Sequence, residues 1–181
     1  MKCLFIIMIA LLILCCNTIR DERFIASDDP PDDEGFYLAQ SGSFVLRYKV
    51  DDTQNLECIF SANSTGWISV GFNPTNRMKD ANIIIGYVEE GIGFIRDDFG
   101  TGEVSHEADT LLGGTNDVTL IAASEQGGRT TFHFRIPLDS GDPYDRVLVP
   151  GSSYPVIFAR GNDNDFDSYH TGLGQAIITI R

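Results

Sequence analysis

The sequence predicts an all-β fold, an immunoglobulin-like antiparallel β-sandwich of about nine to eleven strands, and three observations carry that expectation. Short apolar runs recur at residues 43–50, 55–62, 67–72, 82–88, 92–97, 117–123, 129–136, 154–160 and 175–181, each bounded by Gly, Asn, Asp, Ser or Pro. Several of them alternate with period two, as in Thr130, Phe132, Phe134 and Ile136 against Thr131, His133 and Arg135. No stretch of ten residues or more keeps a helical period. Many short strands and glycine-rich turns are what a two-sheet sandwich requires.

The chain of 181 residues begins with MKCLFIIMIALLILCC, one lysine followed by an apolar run too short for a spanning helix. Residues 1–16 therefore read as a secretory signal peptide, and the protein as extracytoplasmic: secreted, periplasmic or lipid-anchored at the cell surface. Cys15 and Cys16 follow Leu-Leu-Ile-Leu in the manner of a lipobox, whose cysteine is acylated. Two readings stand side by side: a lipid anchor at Cys16 or Cys15, or apolar filler closing the leader. Residues 17–35 are acidic, carry paired prolines and hold few apolar residues, so they read as a disordered linker. A single domain then spans residues 36–181.

Within that domain, residues 43–50 put Phe44, Leu46, Tyr48 and Val50 on one face and Arg47 and Lys49 on the other. The run LECIF sets Cys58 on the same face as Leu56 and Phe60, so it reads as a buried, inert thiol. With one cysteine outside the leader, the domain has no internal disulfide and depends on its core. The formal net charge is −13, from 26 acidic and 13 basic residues, which argues against nucleic acid and anionic lipid surfaces as partners.

Residues 66–87, GWISVGFNPTNRMKDANIIIGY, form a strand, a polar loop and a second apolar strand. The loop holds Met78, the one methionine outside the leader, among Asn, Thr, Arg, Lys and Asp. A thioether in such a loop is a candidate axial ligand for haem iron, usually opposite a histidine. His170, in the loop DSYHTGLG, is the candidate partner. Trp67, Phe72, Tyr87, Phe94 and Tyr169 could line an apolar slot for a macrocycle, and Arg160 or Arg77 could pair with its propionates. The plainer reading makes the aromatics sandwich core, Met78 a packing residue and His170 a solvated imidazole.

A topological condition attaches to the pair. If each strand reverses direction, the loops carrying Met78 and His170 fall at opposite ends of the sandwich, and the pair would fail as ligands of one haem. A further short strand at residues 146–149 (RVLV) would bring them to the same end.

Other signals are thinner. Asp163, Asp165 and Asp167 alternate in NDNDFD as calcium ligands do, but the glycine and glutamate of an EF-hand are missing, and a solvated acidic loop is the alternative. His106 stands among Glu103, Glu107 and Asp109, a conceivable metal site and more simply an exposed loop histidine; His133 is expected to face solvent. No G-x-S-x-G, H-E-x-x-H, P-loop or dinucleotide motif occurs, so the sequence does not read as an enzyme. The C-x-x-C-H signature of covalent haem is also absent, so any haem would be b-type.

Several segments resemble the DOMON family, extracellular β-sandwiches related to the N-terminal domain of dopamine β-monooxygenase and the cytochrome domain of cellobiose dehydrogenase. They are GWISVGF at 66–72, Met78 with DANIIIGYV at 80–88, IRDDFGTG at 95–102, TLLGGTNDVTLI at 110–121, FRIPLDSGD at 134–142 and VIFARGND…YH at 156–170. The resemblance implies a haem b held noncovalently between Met78 and His170, and a one-electron carrier with a redox partner protein. It departs from the family after the methionine, where Asp80 and Asn82 replace the usual small residue and acid. The alternative within the same family is a haem-free module for a sugar, another small ligand or a partner protein.

Overall fold

The computed structural model describes residues 29–181. The leader, Cys15, Cys16 and the first part of the acidic segment lie outside the described residues. The chain order is β1 (Tyr37–Ser41), β2 (Phe44–Val50), β3 (Asn55–Ala62), β4 (Ile68–Phe72), β5 (Asn82–Glu89), β6 (Ile92–Gly102), β7 (Ser105–Ala108), a single helical turn α1 (Asp109–Leu112), β8 (Thr119–Gln126), β9 (Arg129–Pro137), β10 (Ser153–Arg160) and β11 (Gly172–Thr179). All pairings are antiparallel, in a five-stranded sheet β1-β2-β3-β9-β8 and a six-stranded sheet β11-β10-β4-β5-β6-β7. The fold is the expected sandwich. No helix among the described residues is long and apolar enough to cross a membrane.

The period-two pattern decides which side chains meet between the sheets. Phe44, Leu46 and Tyr48 of β2, Leu56, Cys58 and Phe60 of β3, and Phe132, Phe134 and Ile136 of β9 point inward from one sheet. Ile68, Val70 and Phe72 of β4, Ile84 of β5, and Val156 and Phe158 of β10 answer from the other. Phe158 stacks on both Phe44 and Phe60, at 5.6 and 5.4 Å between ring centroids. Cys58 is buried and unpaired, and burial pushes its thiol well above the ordinary range.

Three local expectations are corrected. Residues 146–149 form no strand: Leu148 is a buried plug whose N–H donates to the Leu138 carbonyl, and its neighbours Val147 and Val149 are exposed. The strands that sequence patterning missed are β1 and β7, both at sheet edges. The acidic linker also ends earlier than residue 35. Asp32 caps a turn by accepting the N–H groups of Glu34 and Phe36, and Arg47 of β2 binds Asp32 and Glu34 at 2.6 Å each. Phe36 is buried beneath Arg47 and Lys49, whose charges lie 4.7 and 4.1 Å from its ring centroid.

Candidate functional site

The six-stranded sheet is apolar on both sides. Alternation that sends Ile68, Val70 and Phe72 inward leaves Trp67, Ser69 and Gly71 on the outer side, with Ile83, Ile85 and Tyr87 from β5 and Ile157 and Ala159 from β10. Trp67, Ala81, Ile83 and Ile85 are buried there as a second cluster, against which Met78, Tyr87, Ile157, Ala159 and Phe166 pack. Tyr87 stacks on Phe94 and meets Phe166, both at 5.0 Å between centroids. A sheet face that would otherwise be polar thus carries an apolar, aromatic surface bordered by two loops.

The first loop joins β4 to β5 and carries Met78. Its backbone is held at many points: Thr75 N–H donates to Lys79, Lys79 N–H to Asn76 and Ala81 N–H to Met78, at 2.9, 3.0 and 3.1 Å. Asp80 N–H donates to the Gly100 carbonyl at 2.8 Å, and Gly100 N–H donates to Ala81 at 2.9 Å, tying the loop to β6. Within it Asn73, Arg77 and Asp80 have φ of 52, 54 and 61°. Asn and Asp tolerate that region, but Arg77, directly before Met78, is strained by about 1–3 kcal/mol and is held there by its surroundings. The side chain of Met78 rests, half-buried, against the outer cluster.

The second loop joins β10 to β11 and carries His170. It folds back on Trp67: the Trp67 N–H donates to the Asp163 carbonyl at 3.0 Å, Gly161 N–H donates to the Trp67 carbonyl at 2.8 Å, and the indole Nε1–H donates to Ser168 Oγ at 2.8 Å. Gly161 is required by this contact, because a Cβ there would lie 2.1 Å from Trp67 Nε1. Phe166 reaches from the loop onto the outer cluster. His170 is exposed and makes no hydrogen bond or ion pair among the described residues.

Register shows how the two loops stand. Phe72 at the end of β4 pairs with Val156 near the start of β10, and Ile68 pairs with Arg160. The Met78 loop and the His170 loop therefore emerge at opposite ends of the strands, and the expected extra strand that would have put them at one end is absent. What they share is the outer face, which each loop borders from its own end.

The other predicted residues divide clearly. Trp67 and Tyr87 belong to the outer face. Phe72 does not: it is wholly buried in the inter-sheet core, because residue 72 falls on the inward phase of β4. Tyr169 is 93% exposed. The Arg160 guanidinium is turned away, donating to the Asn63 carbonyl at 2.8 Å, and Arg77 lies 4.0 Å from Glu103 on the surface. Asp165 spends one carboxylate oxygen on the N–H groups of Asp167 and Ser168, and Asp163 and Asp167 are exposed. Among the described residues the three carboxylates that do converge are Asp97, Asp117 and Asp145.

Neither of the remaining histidines is simply solvated. His133 Nε2 lies 2.7 Å from Glu57 Oε1, and His106 Nδ1 lies 2.5 Å from Asp98 Oδ2. Asp98 is fully buried, and burial alone would raise its pKa. Hydrogen bonds from His106 and Arg96 outweigh that and hold it below the usual carboxylate value. Arg96, unforeseen from the sequence, thus stands between Asp98 and the outer face, its guanidinium 4.4 Å from the Phe166 ring centroid. Its signal was available in IRDD, a basic residue on the alternate phase of a strand.

The class the fold defines is a two-sheet antiparallel β-sandwich whose six-stranded sheet carries a second apolar face, bordered by the Met78 and His170 loops. The chain belongs to the DOMON domain family, whose model matches residues 40–161. It is 30% identical over 110 residues to the DBH-like monooxygenase protein 1 of Mus musculus, a match covering 59% of this chain and 17% of that protein. It is 28% identical over 138 residues to the human DBH-like monooxygenase protein 2, covering 74% of this chain and 26% of that one. The chain therefore spans a minor part of the relatives it matches. Among solved structures it superposes on the cytochrome domain of Myriococcum thermophilum cellobiose dehydrogenase with a TM-score of 0.60 at 11% identity, covering 84% of this chain and 87% of that chain. The cytochrome b domain of Coprinopsis cinerea pyranose dehydrogenase gives 0.58 at 13%, covering 79% and 80%.

Proposed function

We propose that this DOMON domain binds a b-type haem and carries single electrons in an extracytoplasmic compartment, with Met78 and His170 as the axial ligands. The observation that carries this reading is the apolar outer face of the six-stranded sheet, approached from one end by a positioned thioether and from the other by a loop bearing an unpartnered imidazole. Although the two loops leave from opposite strand ends, both reach over that face, since Met78 of one and Phe166 of the other pack on the same outer cluster. The donor chemistry also fits, since sulfur and imidazole are the soft and borderline ligands that haem iron accepts. Likeness to two cytochrome domains supports the same reading.

In this assignment Trp67, Ile83, Ile85, Tyr87 and Phe166 exclude water from the macrocycle's edge, and Arg96 offers a positive charge for a propionate. A haem held there by Met78 and His170 would supply a one-electron couple. The domain itself is then a carrier with no catalytic role. Its acidity favours a redox partner with a basic docking surface.

The test is the absorption spectrum of protein purified from haem-replete cells. A sharp reduced α-band of b-type position is expected, and Met78→Ala or His170→Ala should each abolish its low-spin character. Protein that stays colourless through titration with haem would overturn the assignment and leave a haem-free ligand-binding module.

A further inference from the structure

The inner side of the six-stranded sheet, at the end where the Met78 loop enters β5, gathers oxygen atoms without the charge to balance them. Asp97 lies on the inward phase of β6, opposite the core residue Ile84, and is 1% exposed. Its Oδ2 accepts the Asp117 N–H at 3.2 Å, while its Oδ1 is buried without a partner. Carboxylate oxygens of Asp97, Asp117 and Asp145 all lie within 4.8 Å of one another. Asn82, which opens β5 and is also buried, donates through Nδ2 to Asp145 and has an Oδ1 with no donor. Wholly buried Asp109 leaves both of its carboxylate oxygens unpartnered nearby in the fold.

Buried anionic oxygens without hydrogen-bond donors are costly, and three carboxylates at this spacing repel one another. The ion pairs of Arg47, Arg77, Arg96 and Arg135 all go to other acids. Burial, together with the charges of Asp145 and Asp109, pushes Asp97 up to about 9. Burial and the charges of Asp145 and Asp142 likewise push Asp109 up to about 7. Either protons neutralise the cluster or a cation does.

We propose that Asp97, Asp117 and Asp145, with the side-chain oxygen of Asn82, form a calcium site. The donors are all oxygen, with neither cysteine nor histidine among them, which selects a hard cation over a transition metal. A half-turn of the Asn82 amide exchanges its Nδ2 for the unpartnered oxygen beside Asp145, adding a neutral ligand to the three anionic ones. Waters complete the six to eight positions calcium prefers. The ligands come from β5 and β6 of one sheet, from the residue two before β8 of the other, and from the segment between β9 and β10. The ion would tie both sheets and that segment together at the same point, and it requires nothing of the outer face or of haem.

Calcium titrated into EDTA-stripped protein, followed by calorimetry and thermal unfolding, tests the site. Saturating calcium chloride should raise the Tm by roughly 5–10 °C, with one ion bound per chain. The half-exposed rim variant Asp117→Asn and the buried variant Asp97→Asn should each lose that rise. Asp165→Asn, in the loop that carries His170, should keep it. The response should be the same in haem-free and haem-loaded preparations, so loss of haem binding leaves this result standing. A Tm equal in EDTA and in millimolar calcium, or a rise that Asp117→Asn retains in full, overturns the proposal.

Discussion

The indole N–H of Trp67 donates to the hydroxyl of Ser168 at 2.8 Å, joining residues 101 positions apart. Trp67 precedes β4 and Ser168 lies two residues before His170, so this bond and the two backbone bonds beside it anchor the imidazole loop to the outer face. Trp67→Phe keeps most of the apolar bulk but removes the donor. We expect a loss of about 0.5–1.5 kcal/mol in urea unfolding, the net worth of one such bond. Haem affinity should fall with it, because the loop is no longer held. Wild-type stability and wild-type affinity together would refute this account of the anchor.

The opposite loop depends on a close approach. A Cβ on Gly100 would lie 1.7 Å from the Met78 carbonyl oxygen, which is backbone and cannot swing aside. Gly100→Ala must therefore displace the segment from Met78 to Ala81 or bend β6. The expected cost is about 1–3 kcal/mol, as for other overpacked sites. In haem-loaded protein, the optical signature of methionine ligation should weaken well below the unfolding temperature. Retention of that signature with unaltered stability would show that the backbone adapts.

The sandwich was legible because its strands alternate strongly, as β2 and β9 do, and alternation translates directly into two faces. Edge strands gave less signal. The four residues of β7, Ser-His-Glu-Ala, are polar and pair only with β6, and β1 holds Leu38 outward on an open edge. Conversely RVLV looked like a strand because it is apolar, yet Leu148 alone is buried and the segment serves as a plug. Met78 was legible as a methionine out of place. Asp97, Asp117 and Asp145 were not, since they sit in unrelated segments and converge only through sheet pairing and the loop before β10. Asp163, Asp165 and Asp167, spaced as calcium ligands are, are not among the carboxylates that converge in the described residues, because spacing along a loop does not say where the oxygens turn.

Core packing yields a sharper test of the inter-sheet arrangement. Phe158 is buried and stacked between the two phenylalanines of the facing sheet, with its ring 20° from each of theirs. Phe158→Ala removes those contacts and opens a cavity that the flanking strands cannot close. A loss of about 3–5 kcal/mol is expected. Phe158→Leu should recover a large part of it. Denaturant unfolding of the two variants would decide the matter, and an alanine variant within 1 kcal/mol of wild type would contradict the packing described (about a third of the smallest expected loss).

Acid stability should report on the outer face of the other sheet. Glu57 is largely buried there, and burial by itself would raise its pKa; the hydrogen bond from His133 and the charges of Lys49, Arg135 and His133 outweigh it, so the net shift is downward. A carboxylate with a depressed folded pKa adds stability that is complete above its unfolded value, about 4.3 for glutamate, and is lost as pH falls through the lower folded value. Glu57→Gln should therefore cost about 1–2 kcal/mol near neutrality, in the range of a hydrogen bond to a charged group. The gap between variant and wild type should narrow on acidification and close once the wild-type carboxylate is protonated. Urea denaturation at a series of pH values measures that gap, and a constant difference from neutral to strongly acidic pH would mean that ionisation of the Glu57 carboxyl contributes nothing.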